Sequence, residues 1–218
     1  MSGITYDYME KYIRELIPEH DGPLKDLEGY AHKNAVPIIS KEVGKLLELM
    51  INIKKPQNIL ELGTAIGYSA ILMNLASNGN SKITTIERDD IMVESAQNNF
   101  KKYGVENKIN IIHGDCIEVL QKLQEKFDFI FIDAGKGHYN HFLPHCLRML
   151  NSQGVIVADN VLFRGMVASK QLATRRSVTI IKRMKSYLEL VSKDDTLITS
   201  VIPIGDGIAI TSRRNEND

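Results

Sequence analysis

Five short apolar runs, each followed by a stretch of helical character, constrain this chain more than any other feature. "NILEL" (58 to 62), "KITTIE" (82 to 87), "INIIH" (109 to 113), "FDFIFID" (127 to 133) and "GVIVAD" (154 to 159) have the length and the β-branched and aromatic content of buried strands. The segments between them, about residues 67 to 77, 89 to 103, 115 to 125 and 137 to 150, read as helices. Strands in such alternation are joined by crossovers, which predicts an α/β protein with a parallel sheet. A helical piece near 173 to 190 precedes "TLITSVIPI" and "GIAITS", which "GDG" joins into an expected antiparallel hairpin closing the sheet.

The first 52 residues read differently. "YMEKYIREL" and "ISKEVGKLLELMI" have helical periodicity, whereas "EGYAHKNAVPIIS" is broken by Pro37. They are expected to form a helical extension packed on the sheet, with Val36 to Ser40 leading toward its ligand-binding edge, inside a single domain of residues 1 to 218. With 43% hydrophobic residues and 27 basic against 27 acidic side chains, the composition is that of a globular chain with no global field for a polyanion. The start carries acids and no apolar core, and no apolar run reaches the roughly 18 residues of a membrane span. A soluble, cytoplasmic protein without a membrane partner is expected. Cys116 and Cys146 are too few and too far apart for a disulfide framework and read as buried free thiols.

The strand ends carry the chemistry. "ILELGTAIGYSA" places Gly63 and Gly67 in the turn after the first strand, where glycine lets the backbone approach a ligand near a helix N-terminus. Ala65 stands where a dinucleotide fingerprint would want glycine, which argues against a nicotinamide dehydrogenase. Glu87 ends the second strand, where it suits the hydroxyls of a ribose or begins a helix, and "HGDC" adds Gly114 and Asp115 at the third. Asp133 ends the fourth strand, and Asp159 with Asn160 ends the fifth. Acids at the ends of buried strands are costly unless compensated, and three oxygen donors without thiolate or imidazole suit a hard cation such as Mg²⁺. Helix capping by Asp159 is the alternative. His138, His141 and His145 share a helix face that mimics a zinc site, and Lys136 could take a proton beside a metal.

No acid occurs between Asn160 and Leu188, while Arg164, Lys170, Arg175, Arg176, Lys182, Arg183 and Lys185 supply seven cations. Val178, Ile181, Met184 and Leu188 can form the buried stripe of that helix, leaving Arg175, Arg176, Lys182 and Arg183 largely outward. Such a patch suits either a phosphate backbone or plain solvent.

Together "ILELGTAIGYSA", "TIERDD", "GDC", "FIDAGKGHYNHF" and "ADNVLFRG" resemble, in order, the metal- and S-adenosylmethionine-dependent O-methyltransferases, which include catechol and caffeoyl-CoA O-methyltransferases. "LEGYAHKNAVPIIS", "DNVLFRGMVA", "RRSVTIIKRMKSY" and "VIPIGDGIAITSRR" extend the resemblance to one subgroup, the bacterial tRNA 5-hydroxyuridine methyltransferases. The resemblance implies a Rossmann-like class I fold, with a seven-stranded, mostly parallel sheet, the last strand antiparallel and helices on both faces. It implies that Ile39, Gly63, Ser69, Glu87, Gly114, Asp115, Cys116 and Asp133 surround S-adenosylmethionine, that Asp133, Asp159 and Asn160 hold Mg²⁺ or another divalent cation, and that Lys136 is catalytic with Asp133, Tyr139 following it in the family pattern. The acceptor would be 5-hydroxyuridine at the tRNA wobble position, in the anticodon region, with Arg164, Lys170, Arg175, Arg176, Lys182 and Arg183 on the RNA. A small catechol is the alternative acceptor, and a homodimer is implied. The long acyl-CoA-recognition loop of plant-like members is missing, which argues against a CoA ester.

Overall fold

The computed structural model describes residues 4–214, with Lys170 described by its backbone alone. Seven strands form one sheet: β1 (Asn58–Leu62), β2 (Lys82–Glu87), β3 (Ile109–His113), β4 (Phe127–Ile132), β5 (Leu150–Ala158), β6 (Leu197–Ile202) and β7 (Ile208–Arg213). Their order is β3-β2-β1-β4-β5-β7-β6. The pairs among β1 to β5 are parallel, and β7 lies antiparallel between β5 and β6. This is the expected sheet, including the closing hairpin.

The central strands are apolar at consecutive positions because helices cover both faces. Ile59, Phe129, Phe131 and Val157 enter one buried cluster, while Leu60, Leu62, Ile130, Ile132, Ile156 and Ala158 enter the other. On the first face lie α3 (Lys41–Lys54), α4 (Tyr68–Ala76) and α5 (Asp90–Lys102); on the second lie α6 (Cys116–Lys122), α7 (Tyr139–Met149) and α8 (Val178–Lys193). Every residue of α4 from Tyr68 to Asn74 is buried, because α2 (Gly22–Asn34) and α3 pack over it. The N-terminal helices therefore form a further layer, with α1 (Asp7–Leu16) against α3. Between α2 and α3 the chain is extended through Pro37, and Pro37 to Ser40 reach the ligand-binding edge as expected.

Two boundaries differ from expectation. β5 starts at Leu150, directly after α7, and reaches its main register through a shift between Phe127 and Phe129. Asn151 Nδ2 donating to Asp128 Oδ1 (2.6 Å) anchors that irregular start, so "NSQG" is a kink within the strand and not a loop before it. The buried stripe of α8 is Ile181, Met184, Tyr187 and Val191, with Leu188 half-buried; Val178, at the first helical position, is 54% exposed.

Gly67 shows how the first turn depends on glycine. It caps α4 at φ 85°, and a β-carbon there would lie 2.5 Å from Cε1 of Phe100 in α5. Gly67→Ala is expected to lower unfolding free energy by roughly 2 kcal/mol or more, from strain at positive φ plus overpacking, measured by urea denaturation.

Candidate active site

Register places the strand ends level. Leu62 pairs with Ile132, and Ile132 with Ala158, so the next residues, Gly63, Asp133 and Asp159, stand side by side on one edge. Asp133 N donates to Leu62 O (2.9 Å), Asp159 N to Ile132 O (2.9 Å), Gly63 N to Ile86 O (3.0 Å) and Gly114 N to Glu87 O (2.8 Å). Strand order reverses between β1 and β4, the place where open α/β sheets hold ligands. There a β-carbon on Gly63 (φ 99°) would lie 2.7 Å from Asp133 O, so only glycine lets the two strand ends come this close.

A cavity of about 720 Å³ opens at this edge. Of the residues assigned to the cofactor from the sequence, Ile39, Gly63, Ser69, Glu87, Asp115, Cys116 and Asp133 line it. Asp159, Asn160, Lys136 and Arg164 line the same cavity. Gly114 stands beside it, contributing the backbone bond to Glu87 O.

On the β1 to β3 side, Glu87 ties two turns together. Its Oε2 accepts from Thr64 N (3.2 Å) and Ala65 N (3.0 Å), and its Oε1 from Arg88 N (2.8 Å) and Asp89 N (3.0 Å). Asp115 caps α6, its Oδ1 accepting from Ile117 N (2.8 Å). Burial, reinforced by the charges of Asp115 and Glu87, pushes the Cys116 thiol up to about 12, so it lines the wall as a neutral group. Cys146 is buried and also free.

Beneath this wall sits a residue that the sequence reading passed over. Glu61 is fully buried, accepting from Ser69 Oγ (2.5 Å) and Thr85 Oγ1 (2.6 Å), with Thr64 Oγ1 2.6 Å from Thr85 Oγ1. Burial lifts its carboxyl to about 7 despite both hydroxyls, and the Glu87 charge adds to the rise. The signal was the acid inside the apolar run "NILEL".

On the β4 to β5 side, Asp133 and Asp159 are two buried acids. Burial and the Asp159 charge push Asp133 well above the carboxylate range; Asp159, 3% exposed, is pushed up by burial although Asn160 N donates to its Oδ1 (2.6 Å). Lys136 is the cation whose charge acts on both, and on Asp206, a half-buried acid of the β6–β7 turn that the sequence reading also missed. Behind them Tyr139 OH donates to Asp159 O (2.9 Å), while its ring packs edge-on against Tyr187 at 5.5 Å. Two carboxylates and the Asn160 carboxamide form an oxygen donor set with excess negative charge, which fits a hard divalent cation. Among the described residues no group of three or more His, Cys, Asp or Glu side chains is placed to hold a metal ion, which removes the zinc reading of His138, His141 and His145.

The cavity mouth carries Arg14 of α1, whose Nε and Nη2 reach Glu42 Oε2 (2.9 Å) and Oε1 (2.7 Å). Burial pushes the Glu42 carboxyl up, but Arg14, a backbone N–H and Ser40 together outweigh it and hold the group below its ordinary value. Nothing in the sequence signalled a pair 28 residues apart. Of the basic segment, Arg164 is exposed at the rim, and Arg175, Arg176 and Lys182 are exposed away from the cavity lining. The Lys170 side chain lies outside the described residues. Arg183 is not outward: it is half-buried, with Nη1 donating to Gly137 O (3.1 Å) in the loop that presents Lys136.

The profile of a family described as O-methyltransferase matches residues 18–214. The chain belongs to the O-methyltransferase family. This O-methyltransferase is 31% identical to a catechol O-methyltransferase of Niastella koreensis, across 96% of the chain and 98% of that protein. It superposes on a solved structure from Staphylococcus aureus, described provisionally as a caffeoyl-CoA O-methyltransferase, with a TM-score of 0.88 and 33% identity, covering 95% of the chain and 100% of that one. The Bacillus cereus O-methyltransferase solved with SAH (S-adenosylhomocysteine) has the same fold, with a TM-score of 0.83 at 23% identity over 95% of this chain and 97% of that one. No helix among the described residues is long and apolar enough to cross a membrane.

The buried Glu61 predicts a pH dependence. Its proton is favoured by folding, so its contribution is fully present below about pH 4.5 and is lost as pH rises through about 7. Urea titrations should show wild-type stability falling relative to Glu61→Gln by on the order of 3 kcal/mol between pH 4.5 and pH 8. Parallel pH profiles for the two proteins would contradict this.

Proposed function

We propose that this O-methyltransferase methylates the 5-hydroxyl of 5-hydroxyuridine at the wobble position of tRNA, using S-adenosylmethionine and a divalent cation such as Mg²⁺. The observation that carries the reading is that one cavity joins the glycine-turn edge of β1 to β3 with the two buried acids and Asn160 on β4 and β5. The first edge offers glycine turns and a helix N-terminus to a nucleoside and its charged tail, with Glu87 between them. S-adenosylmethionine held there supplies an electrophilic methyl group.

Asp133, Asp159 and Asn160 would hold the cation. Bound there, it stabilises the ionised form of an acceptor hydroxyl near neutral pH. Asp133 lines the cavity where its two halves meet, so an acceptor oxygen on the cation it would hold lies close to the methyl group, and positioning supplies much of the rate. We assign the acceptor proton to Lys136 Nζ, which takes it as the neutral amine; the ammonium so formed is the charge that acts on Asp133, Asp159 and Asp206 together. The buried Tyr139 bonds the Asp159 carbonyl and keeps that strand end from shifting.

Two vicinal oxygens are the chemical requirement, and the 5-hydroxyl and 4-carbonyl of 5-hydroxyuridine provide them. Support for RNA comes from the acid-free segment of residues 160 to 188, with Arg164 at the rim and Arg175, Arg176 and Lys182 exposed. The subgroup resemblance points the same way, and it supports a homodimer. The second reading, a small catechol as acceptor, is favoured by the likeness to the Niastella koreensis enzyme.

Labelled S-adenosylmethionine offered with tRNA carrying 5-hydroxyuridine, or with catechol, is expected to label the RNA, and EDTA to abolish the labelling. Asp159→Ala should lower kcat/KM by about a hundredfold or more, several kcal/mol being what such a cation contributes. Neutralising Arg175 and Arg176 should raise KM for tRNA and leave any turnover of catechol unchanged. Label in catechol with none in tRNA would transfer the assignment to the second reading.

A further inference from the structure

The loop after β5 is held from outside. Asn160 (φ 59°), Phe163 (φ 45°) and Arg164 (φ 53°) stand in the left-handed region, which a β-carbon disfavours. Such residues persist where the surroundings over-determine them, and they gather at functional sites. Here the surroundings are the turn between β6 and β7. Val161 N donates to Gly207 O (2.9 Å) and Leu162 N to Asp206 O (3.0 Å). Arg164 N donates to Asp206 Oδ1. The first two bonds use backbone carbonyls, which any sequence supplies; the third belongs to the Asp206 side chain. Gly207 (φ 88°) has no room for a side chain against Leu162, so turn and loop pack face to face. Asp206, Asn160 and Arg164 all line the cavity, so the contact between turn and loop is made at its wall.

We infer that Asp206 is a positioning residue. By accepting the Arg164 amide hydrogen, its carboxylate fixes residues 160 to 165 in the conformation that delivers Asn160 beside Asp133 and Asp159 and leaves Arg164 at the cavity mouth. The inference rests on the proposed use of Asn160 as an oxygen ligand. It does not involve the cofactor edge, which Glu87 ties separately.

Asp206→Ala removes the acceptor, and Asp206→Asn keeps an oxygen in place without the charge. Hydrogen exchange on the metal-free, full-length protein should show residues 160 to 166 exchanging about tenfold faster in Asp206→Ala and within about threefold of wild type in Asp206→Asn. Mn²⁺ titration followed by electron paramagnetic resonance should show Kd about tenfold higher in Asp206→Ala and restored in Asp206→Asn. SAH affinity, equal in all three proteins, confirms an intact fold. Unchanged exchange in Asp206→Ala, equal losses in the two variants, or faster exchange with unaltered Mn²⁺ affinity would each overturn the inference. Wild-type protein that fails to bind Mn²⁺ would overturn the proposed ligand set instead, and the exchange data alone would then decide the latch.

Discussion

Two carboxylates buried on adjacent strand ends govern the rest of this structure. Neighbouring strands lie about 4.8 Å apart, and the register that pairs Ile132 with Ala158 makes Asp133 and Asp159 the next residues on adjacent strands. Burial and mutual repulsion both oppose their ionisation. Apolar side chains at the same positions would pack without this cost, since buried charge is a poor source of stability. The surroundings reduce the cost without cancelling it. Lys136 contributes one positive charge against Asp133, Asp159 and Asp206, and Asn160 N bonds Asp159 directly. An edge built this way attracts positive charge, and it keeps the cavity from being filled by packing.

The two halves of the cavity are held by different means. On the β1 to β3 side one carboxylate, Glu87, gathers four backbone N–H groups from two turns, and a second, Glu61, gathers two hydroxyls from below. Four N–H groups on one carboxylate, Glu87, fix both turns at once, so this wall is pre-set for a ligand of fixed shape. Across the cavity, the loop after β5 stands in left-handed backbone and leans on the β6–β7 turn. This second wall is the one built from loops, as binding sites on a rigid scaffold commonly are.

What the sequence shows of this depends on how local each cause is. Strand ends, their crossovers and the closing hairpin follow from patterns within a few residues, and the parallel sheet then brings Gly63, Glu87, Asp133 and Asp159 to one edge without further information. Glu61 was legible in principle, as an acid in an apolar strand, but its partners Ser69 and Thr85 lie on other elements. The Arg14 and Glu42 pair, and Asp206 beneath Arg164, join segments far apart in the chain, where no periodicity operates. Val178 misled because an apolar residue at a helix start obeys the stripe while lying beyond the surface that would bury it.

Arg183 shows how a charge pattern differs from a charge surface. Its segment lacks acids, so every cation in it looks equally available to phosphate. The fold separates them, leaving Arg175, Arg176 and Lys182 in solvent and turning Arg183 onto the carbonyl of Gly137. Gly137 adjoins Lys136, so the guanidinium supports the loop carrying the cation that the buried acids share. Within α8, Lys182 thus faces solvent while its neighbour Arg183 bonds the loop beside the site. Sequence periodicity assigns both to the same side, because a long side chain can leave its own face and follow a neighbouring loop inward.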